Sequence, residues 1–243
     1  MDRGIEGLTA GRRAGGPAGG LPAGRSLPRL LLLPAALLLS APPPLWSQDA
    51  PTVLARAESV YASVTSLRAE FRQTIVNPML GGPEEASGTL YLVKPGKFAM
   101  RFADPAGDRI VVDGQWLWAY TPSSVEGQVI RQPVPTSGAT TPNLFAQFVE
   151  RPLERYDVTY LNRVTVAGEP VELVLLVPKT RELGFRRATI AVSARTGWIR
   201  RVAIVEDSGQ RRTLVLTALT PDATVPAEEV RFRVPRGVKI VSP

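Results

Sequence analysis

Apolar residues recur at helical spacing over residues 52–67, where Val53, Leu54, Ala57, Val60, Tyr61, Val64 and Leu67 share one face. The pattern predicts an amphipathic helix, with Thr52 as its N-cap. After Leu67 the period changes to two. Ala69, Phe71, Gln73 and Ile75 alternate with Arg68, Glu70, Arg72 and Thr74, which predicts a strand with one apolar and one charged, wet face. Gly81-Gly82-Pro83 interrupts the chain, residues 89–94 read as the next strand, and Pro95-Gly96 turns it. Phe98, Met100 and Phe102 then share one face, while Ala99 and Arg101 share the other. Asp104-Pro105 and Gly107 mark another turn, and residues 109–112 lead into the hairpin dipeptide Asp113-Gly114. Beyond it Trp116, Trp118 and Tyr120 project from one face of a strand.

A second strand series occupies residues 158–166, 171–177, 185–192, 198–206 and 212–219, with turns at Gly168-Glu169, Thr196-Gly197 and Ser208-Gly209. Between the two series, residues 141–149 predict a short amphipathic helix. Thr141 caps it, Pro142 occupies its first turn, and Leu144, Phe145, Phe148 and Val149 form its apolar face. Arg151-Pro152 ends it. A last short helix is predicted over residues 226–230, before an extended tail, residues 232–241, that adds an edge strand or a hook.

These elements predict a mainly β fold with helices: a curved antiparallel sheet forming an incomplete (half) barrel whose concave side is covered by a helical lid. The helices at 52–67 and 141–149 are the candidate cover. Leu90, Leu92, Phe98, Met100, Phe102, Trp116, Trp118 and Tyr120 are then either ordinary core or the wall of a cavity, and alternation alone does not distinguish the two.

Residues 30–39, LLLLPAALLL, follow basic residues and precede a Pro-rich break. Their length suits a signal-peptide core and falls short of the roughly 20 residues of a membrane span, so a membrane anchor is the competing reading. Ser47 and Leu45 place cleavage before Gln48. The expected organisation is a signal peptide with an N-terminal extension at 1–47 and a single exported domain at 48–243.

The formal charge is +7, from 29 Lys+Arg against 22 Asp+Glu. Five Arg and two acidic residues precede residue 48, so the remainder carries a mild +4. No Lys/Arg cluster suited to a phosphate backbone occurs, which argues against nucleic acid as a partner. The sequence holds no Cys and no His. That removes disulfides, thiolate metal sites, cysteine nucleophiles, a lipidated N-terminal cysteine, the usual general base and the commonest transition-metal ligand. No metal, cofactor or catalytic residue is assigned. The carboxylate pairs Asp104 with Asp108 and Glu84 with Glu85 would be needed for a hydrolase, and they read as solvated loop charges. A structural adaptor that binds partners along a sheet edge is a further alternative.

Phe71 and Gln73, then Ser87, Gly88 and Leu90, Lys94-Pro95 and Phe98, Pro105, Asp113-Gly114, and Leu117-Trp118 with Tyr120 resemble the LolA family of periplasmic lipoprotein carriers. The likeness extends through Thr141-Pro142, Arg195-Thr196-Gly197 and Val205-Glu206 to Phe232 and Pro235-Arg236-Gly237-Val238. It implies a non-enzymatic, monomeric carrier with acylated lipoproteins as cargo. An inner-membrane ATP-driven release complex would load it, and an outer-membrane receptor would unload it. The resemblance assigns Leu90, Leu92, Phe98, Met100, Phe102, Trp116, Trp118 and Tyr120 to the lipid-binding cavity and Leu144, Phe145 and Phe148 to the lid. Lys94 stands where the family has an Arg latch that donates to lid carbonyls in the empty state, and Lys lacks the planar fork of Arg. Met100 stands where relatives often have Trp. The same fold serves a receptor lipoprotein, which needs the N-terminal Cys missing here, and a sensor of mislocalised lipoprotein. Carriage of another lipid, or sensing of acylated protein, is therefore the alternative function.

Overall fold

The computed structural model describes residues 49–79, 81–134 and 145–242. The expected export segment, the cleavage site at Ser47 and Gln48, and Thr141, Pro142 and Leu144 of the expected lid lie outside the described residues.

Helix α1 spans Ala50–Ser63. Asp49 caps it, its carboxylate accepting the Thr52 backbone N–H at 2.8 Å, so Thr52 lies inside the helix and is not its cap. The Thr52 hydroxyl, and after it this backbone N–H, hold the Asp49 carboxyl below its ordinary range. The helix stops at Ser63, four residues before Leu67, because Val64 takes extended backbone (φ −101°, ψ 151°), as suits the β-branched pair Val64-Thr65. Leu67 belongs instead to strand β1, Ser66–Val76. The chain then runs through β2 (Glu84–Val93), β3 (Lys97–Asp104), β4 (Arg109–Val112), β5 (Trp116–Tyr120) and β6 (Gln128–Pro133). Two single-turn helices follow, α2 (Ala146–Val149) and α3 (Pro152–Arg155). Next come β7 (Tyr156–Val166), β8 (Glu169–Pro178), β9 (Phe185–Ser193), β10 (Ile199–Glu206), β11 (Arg211–Pro221) and β12 (Lys239–Val241).

All twelve strands form one sheet, ordered β12-β6-β5-β4-β3-β2-β1-β11-β10-β9-β8-β7. It is curved and does not close into a barrel. Two hairpin meanders meet where β1 pairs antiparallel with β11. The tail supplies β12, paired parallel with β6. Residues 226–230 form a turn rather than a helix, closed by Glu229 N–H donating to the Pro226 carbonyl at 3.0 Å. Register shifts in the β1–β11, β2–β3, β7–β8 and β9–β10 pairings supply the local bends a curved sheet needs. At the β2–β3 shift Gly88 allows the close approach, since a Cβ there would lie 2.0 Å from the Arg101 carbonyl oxygen.

Cross-strand register decides which side chains share a face. Leu92, Phe98, Val112 and Leu117 are successive partners, and so are Tyr91, Ala99, Val111 and Trp118. The first row belongs to the large core under α1, with Leu90, Met100 and Phe102. The second belongs to a separate cluster on the opposite face, where Trp116, Trp118 and Tyr120 meet Val225, Val230, Phe232 and Val238 of the tail. The expectation that Trp116, Trp118 and Tyr120 line the same wall as Phe98 is thus overturned. The hairpin register puts their intervening neighbour Leu117 there instead. Phe232 stacks on Trp118 with ring centroids 5.3 Å apart, and the Trp118 indole donates to Asp113 at 2.8 Å.

Three expected loop charges are placed otherwise. Glu84 and Glu85 lie in β2, and Asp108 is buried, accepting from Ser123 N–H at 3.1 Å and Ser123 hydroxyl at 2.6 Å.

Helix α1 rests on the turn between β9 and β10. Gly197 there has φ +76°, and a Cβ would meet Val60 Cγ2 at 2.8 Å and the Arg56 carbonyl oxygen at 3.2 Å. Beside it the fully buried Glu172 accepts from Arg56 of α1 and, at 3.0 Å, from Arg163 of β7. Gly197→Ala should therefore lift α1 and lower stability by about 2 kcal/mol, within the range for overpacking, read as a lower denaturant midpoint at unchanged slope.

Candidate functional site

The concave face is apolar across both meanders. Leu67, Phe71, Leu90, Leu92, Phe98, Met100 and Phe102 from one side meet Leu176, Phe185, Ile190, Val202 and Leu216 from the other. Two elements cover it. One is α1, through Val53, Leu54, Ala57 and Tyr61. The other is the segment carrying α2 and α3, which links β6 to β7 and so connects strands near opposite ends of the sheet order. Phe145 and Phe148 of this segment are fully buried in the concave core, and Leu144 lies outside the described residues. The helix expected over 141–149 is confirmed only as the single turn Ala146–Val149, and Arg151-Pro152, expected to end it, instead opens α3.

The cover is largely aromatic. Phe145 stacks on Tyr61 at 5.8 Å, and Tyr61 meets Trp198 edge-on at 4.9 Å. Phe148 packs against Tyr156 at 6.2 Å and Phe185 at 6.1 Å. Polar ties also join the cover to its surroundings. The Tyr156 hydroxyl donates to the Gln147 carbonyl of α2 at 2.9 Å. Burial pushes the Tyr156 phenol up to about 12, against a smaller opposing effect of Arg155. Glu58 of α1 accepts the Arg151 backbone N–H at 3.3 Å. Arg151 joins α2 to α3 in the left-handed region, φ 48°. By contrast α3 is fastened to β8: Lys179 N–H donates to the Arg155 carbonyl at 3.0 Å and its ammonium to the Leu153 carbonyl at 2.7 Å.

Lys94 follows β2, and its backbone N–H donates to the Thr65 carbonyl at 2.8 Å. That places its ammonium under the last turn of α1, where it donates to the carbonyls of Tyr61 and, at 3.2 Å, Ala62. A cation is favoured there, at the negative end of the helix dipole. Among the described residues the carbonyls that Lys94 reaches are thus those of α1, and not those of the inserted segment.

Two shallow grooves follow the seam between the covering elements. One, of about 180 Å³, runs between α1 and α3 past Leu54, Glu58, Pro152 and Leu153. The other, of about 150 Å³, is lined by Tyr61, Leu92, Lys94, Ala146 and Val149, with Glu58 and Glu150 at its rim. Both are smaller than the roughly 300–1,000 Å³ of small-molecule sites. Beneath them Phe145, Phe148 and Val149 are buried in the core of the concave face. Among the described residues no cluster of acidic side chains is placed to hold a metal, and no helix is long and apolar enough to cross a membrane.

An open antiparallel sheet whose apolar hollow is filled by its own helical cover defines a covered half-barrel. The chain belongs to the family of the outer membrane lipoprotein carrier protein LolA, which it matches over residues 62–233. Similar curated proteins are named outer-membrane lipoprotein carrier protein. The one from Chromobacterium violaceum is 27% identical over 191 residues, covering 79% of this chain and 88% of that protein. The one from Pseudomonas fluorescens is 26% identical over 213 residues, covering 88% and 97%. The crystal structure of an uncharacterized conserved protein from Thermus thermophilus superposes with a TM-score of 0.51 at 13% identity, covering 80% of this chain and 99% of that one, and shows the shared fold.

The Tyr156 bond makes a prediction about the cover. The folded protein holds the phenol proton more tightly than the unfolded chain does, so this contribution to stability is intact below pH 10.0 and is lost as pH rises toward about 12. Tyr156→Phe should remove that part of the alkaline decline. At neutral pH it should cost about 1 kcal/mol and speed amide hydrogen exchange in residues 145–149.

Proposed function

We propose that the protein is a periplasmic carrier that takes the acyl chains of lipoproteins onto its concave sheet face and delivers them toward the outer membrane. The observation that carries this reading is what covers the hollow: Phe145 and Phe148 are buried in it from a segment that, among the described residues, contributes no strand to the sheet. Family membership supports the same reading, as do the names of the curated relatives.

The magnitudes favour exchange of cover for cargo. At about 0.8 kcal/mol per methylene, one long acyl chain gains roughly 12 kcal/mol by leaving water. Withdrawing Phe145, Phe148 and Val149 exposes side chains worth roughly 1.5–3 kcal/mol each. One chain in the hollow therefore offsets the opening. Since α3 is tied to β8 through Lys179, α2 is the part that swings, about the left-handed Arg151. Lys94 braces the end of α1, the fixed cover, so its contacts steady one wall of the seam and are not the latch on lid carbonyls that the family resemblance implies. The lining that meets the chains is Leu90, Leu92, Phe98, Met100 and Phe102, with Leu117 in place of the tryptophans. Met100 suits fluid chains because it is unbranched and adaptable. An ATP-driven inner-membrane complex would supply the loading energy, and an outer-membrane receptor of greater apolar affinity would accept the cargo.

The absence of native cysteine allows a direct test. Glu58→Cys with Glu150→Cys, joined across the seam groove by a short, reducible bifunctional thiol reagent, should clamp α2 onto α1. The clamped protein should take up less than a tenth of the fluorescent triacylated lipopeptide bound by the reduced protein, with uptake returning on reduction. Equal uptake in both forms would show that cargo does not enter under this cover.

A further inference from the structure

The second meander carries the arginine pairs Arg186-Arg187, Arg200-Arg201 and Arg211-Arg212. One member of each is matched to an acid. Arg186 meets Asp207 at 4.0 Å, Arg200 meets Glu169 at 3.0 Å and Arg212 meets Glu206 at 3.3 Å. The other members, Arg187, Arg201 and Arg211, have no carboxylate partner among the described residues, and neither does Arg72 of β1. Three of these four are exposed and Arg201 is half-buried.

Register gathers the four on one face. Arg72, Val215, Arg201 and Ala191 are successive cross-strand partners on β1, β11, β10 and β9. Val215 and Ala191 belong to a small cluster separate from the concave core, so this row lies on the outer side of the sheet. Four residues away along each strand, the row Val76, Arg211, Val205 and Arg187 repeats the alternation one strand out of step. Between the two runs Thr74, Thr213, Ala203 and Thr189. No position in the three rows is acidic, and Glu85 at their border is engaged by the Thr74 hydroxyl at 3.0 Å. Strand spacing and rise put the arginines roughly 10 Å apart within a row, with the two rows about 14 Å apart. The paired arginines serve the fold. These four bring mutual repulsion and no internal partner.

The chemistry of the array narrows what it fits. Small side chains separate the charges, and no aromatic residue stands among them to anchor a protein partner. An anionic bilayer offers separate, laterally mobile phosphodiesters, which spaced guanidiniums can meet one by one with paired N–H donors. We infer that this outer face docks the protein onto an anionic lipid surface through its phosphodiester headgroups. Held by its back, the protein keeps the cover and its seam on the side away from the bilayer. The inference does not depend on the carrier reading, since none of the four arginines belongs to the concave core.

The test is flotation of the protein, as recovered from expressing cells, with phosphatidylglycerol-containing or pure phosphatidylcholine vesicles. Wild type should partition at least about tenfold more strongly onto the anionic vesicles at low salt, and lose that preference near 1 M salt, where the Debye length falls to about 3 Å. Arg72→Gln, Arg187→Gln, Arg201→Gln and Arg211→Gln combined should abolish the preference and leave uptake of the fluorescent lipopeptide unchanged. The smaller set Arg187→Glu with Arg211→Glu, both at exposed positions, should do the same if the fourfold variant fails to fold. An equal charge removed from the tail, by Arg231→Gln, Arg233→Gln, Arg236→Gln and Lys239→Gln, should leave most of the preference in place. Residues 1–47 are common to every variant, so the differences report the outer face. Equal loss in the array and tail variants would overturn the inference, because net charge alone would then account for binding. So would equal partition of wild type onto both vesicles. Binding to soluble polyglutamate without binding to anionic vesicles would assign the face to an acidic protein instead. Loss of lipopeptide uptake by wild type would overturn the carrier reading and leave the vesicle result standing.

Discussion

A sheet that curls without closing leaves a concave apolar face with no facing sheet to bury it, and the rest of this molecule follows from that constraint. Water cannot be left against Leu90, Phe98, Met100 and Phe102, all buried here, so the chain has to supply a cover from its own length. It does so twice. Helix α1 enters before the first strand and is clamped to the second meander through Gly197, Arg56 and the buried Glu172. The inserted segment arrives between β6 and β7, the point at which the chain passes from one meander to the other. The first cover is fixed by charge and close packing. The second buries the rings of Phe145 and Phe148 in the core, contacts that other hydrocarbon can replace.

Much of this was legible in the sequence because each signal was local. The change of period at Leu67, the alternation of Phe98, Met100 and Phe102, and the turn at Asp113-Gly114 each depend on a few neighbouring residues. The second meander was equally plain from its spaced turns. What escaped depends on register between strands. Trp116, Trp118 and Tyr120 look like lining because they are large and alternate. Alternation says which residues share a face, not which face it is, and a shift of one residue exchanges the two. The pairing of Val111 with Trp118 and of Val112 with Leu117 settles it. Strand β6 carries only Val129 as a buried residue, too weak a pattern to stand out, and Pro152 signals the end of one helical turn and the start of another with the same chemistry.

The outer face shows why the aromatic residues were misleading. The tail from Val225 to Val238 wraps over Tyr91, Ala99, Val111 and Trp118, making a second apolar layer on the side away from α1. An antiparallel sheet with one face on the core is expected to be wet on the other, and the first strand, with Arg68, Glu70 and Arg72, fits that rule. The neighbouring strands depart from it because residues more than a hundred positions later return to cover them. No window of local sequence contains that information.

A filled hollow could be read as an ordinary core, and the distinction turns on what fills it. In an ordinary core, removing a side chain breaks the pairing of the element that carries it or opens a lasting cavity. Here the filling side chains Phe145 and Phe148 sit on a segment that, among the described residues, lies outside the strand ladder, with Lys179, the Tyr156 phenol and the Tyr61 ring among its contacts. Withdrawing them leaves all twelve strands paired. The same side chains that keep water out of the empty protein therefore mark the space that cargo would occupy, and the closed form is stable because its cover imitates, in aromatic rings, the hydrocarbon it gives way to.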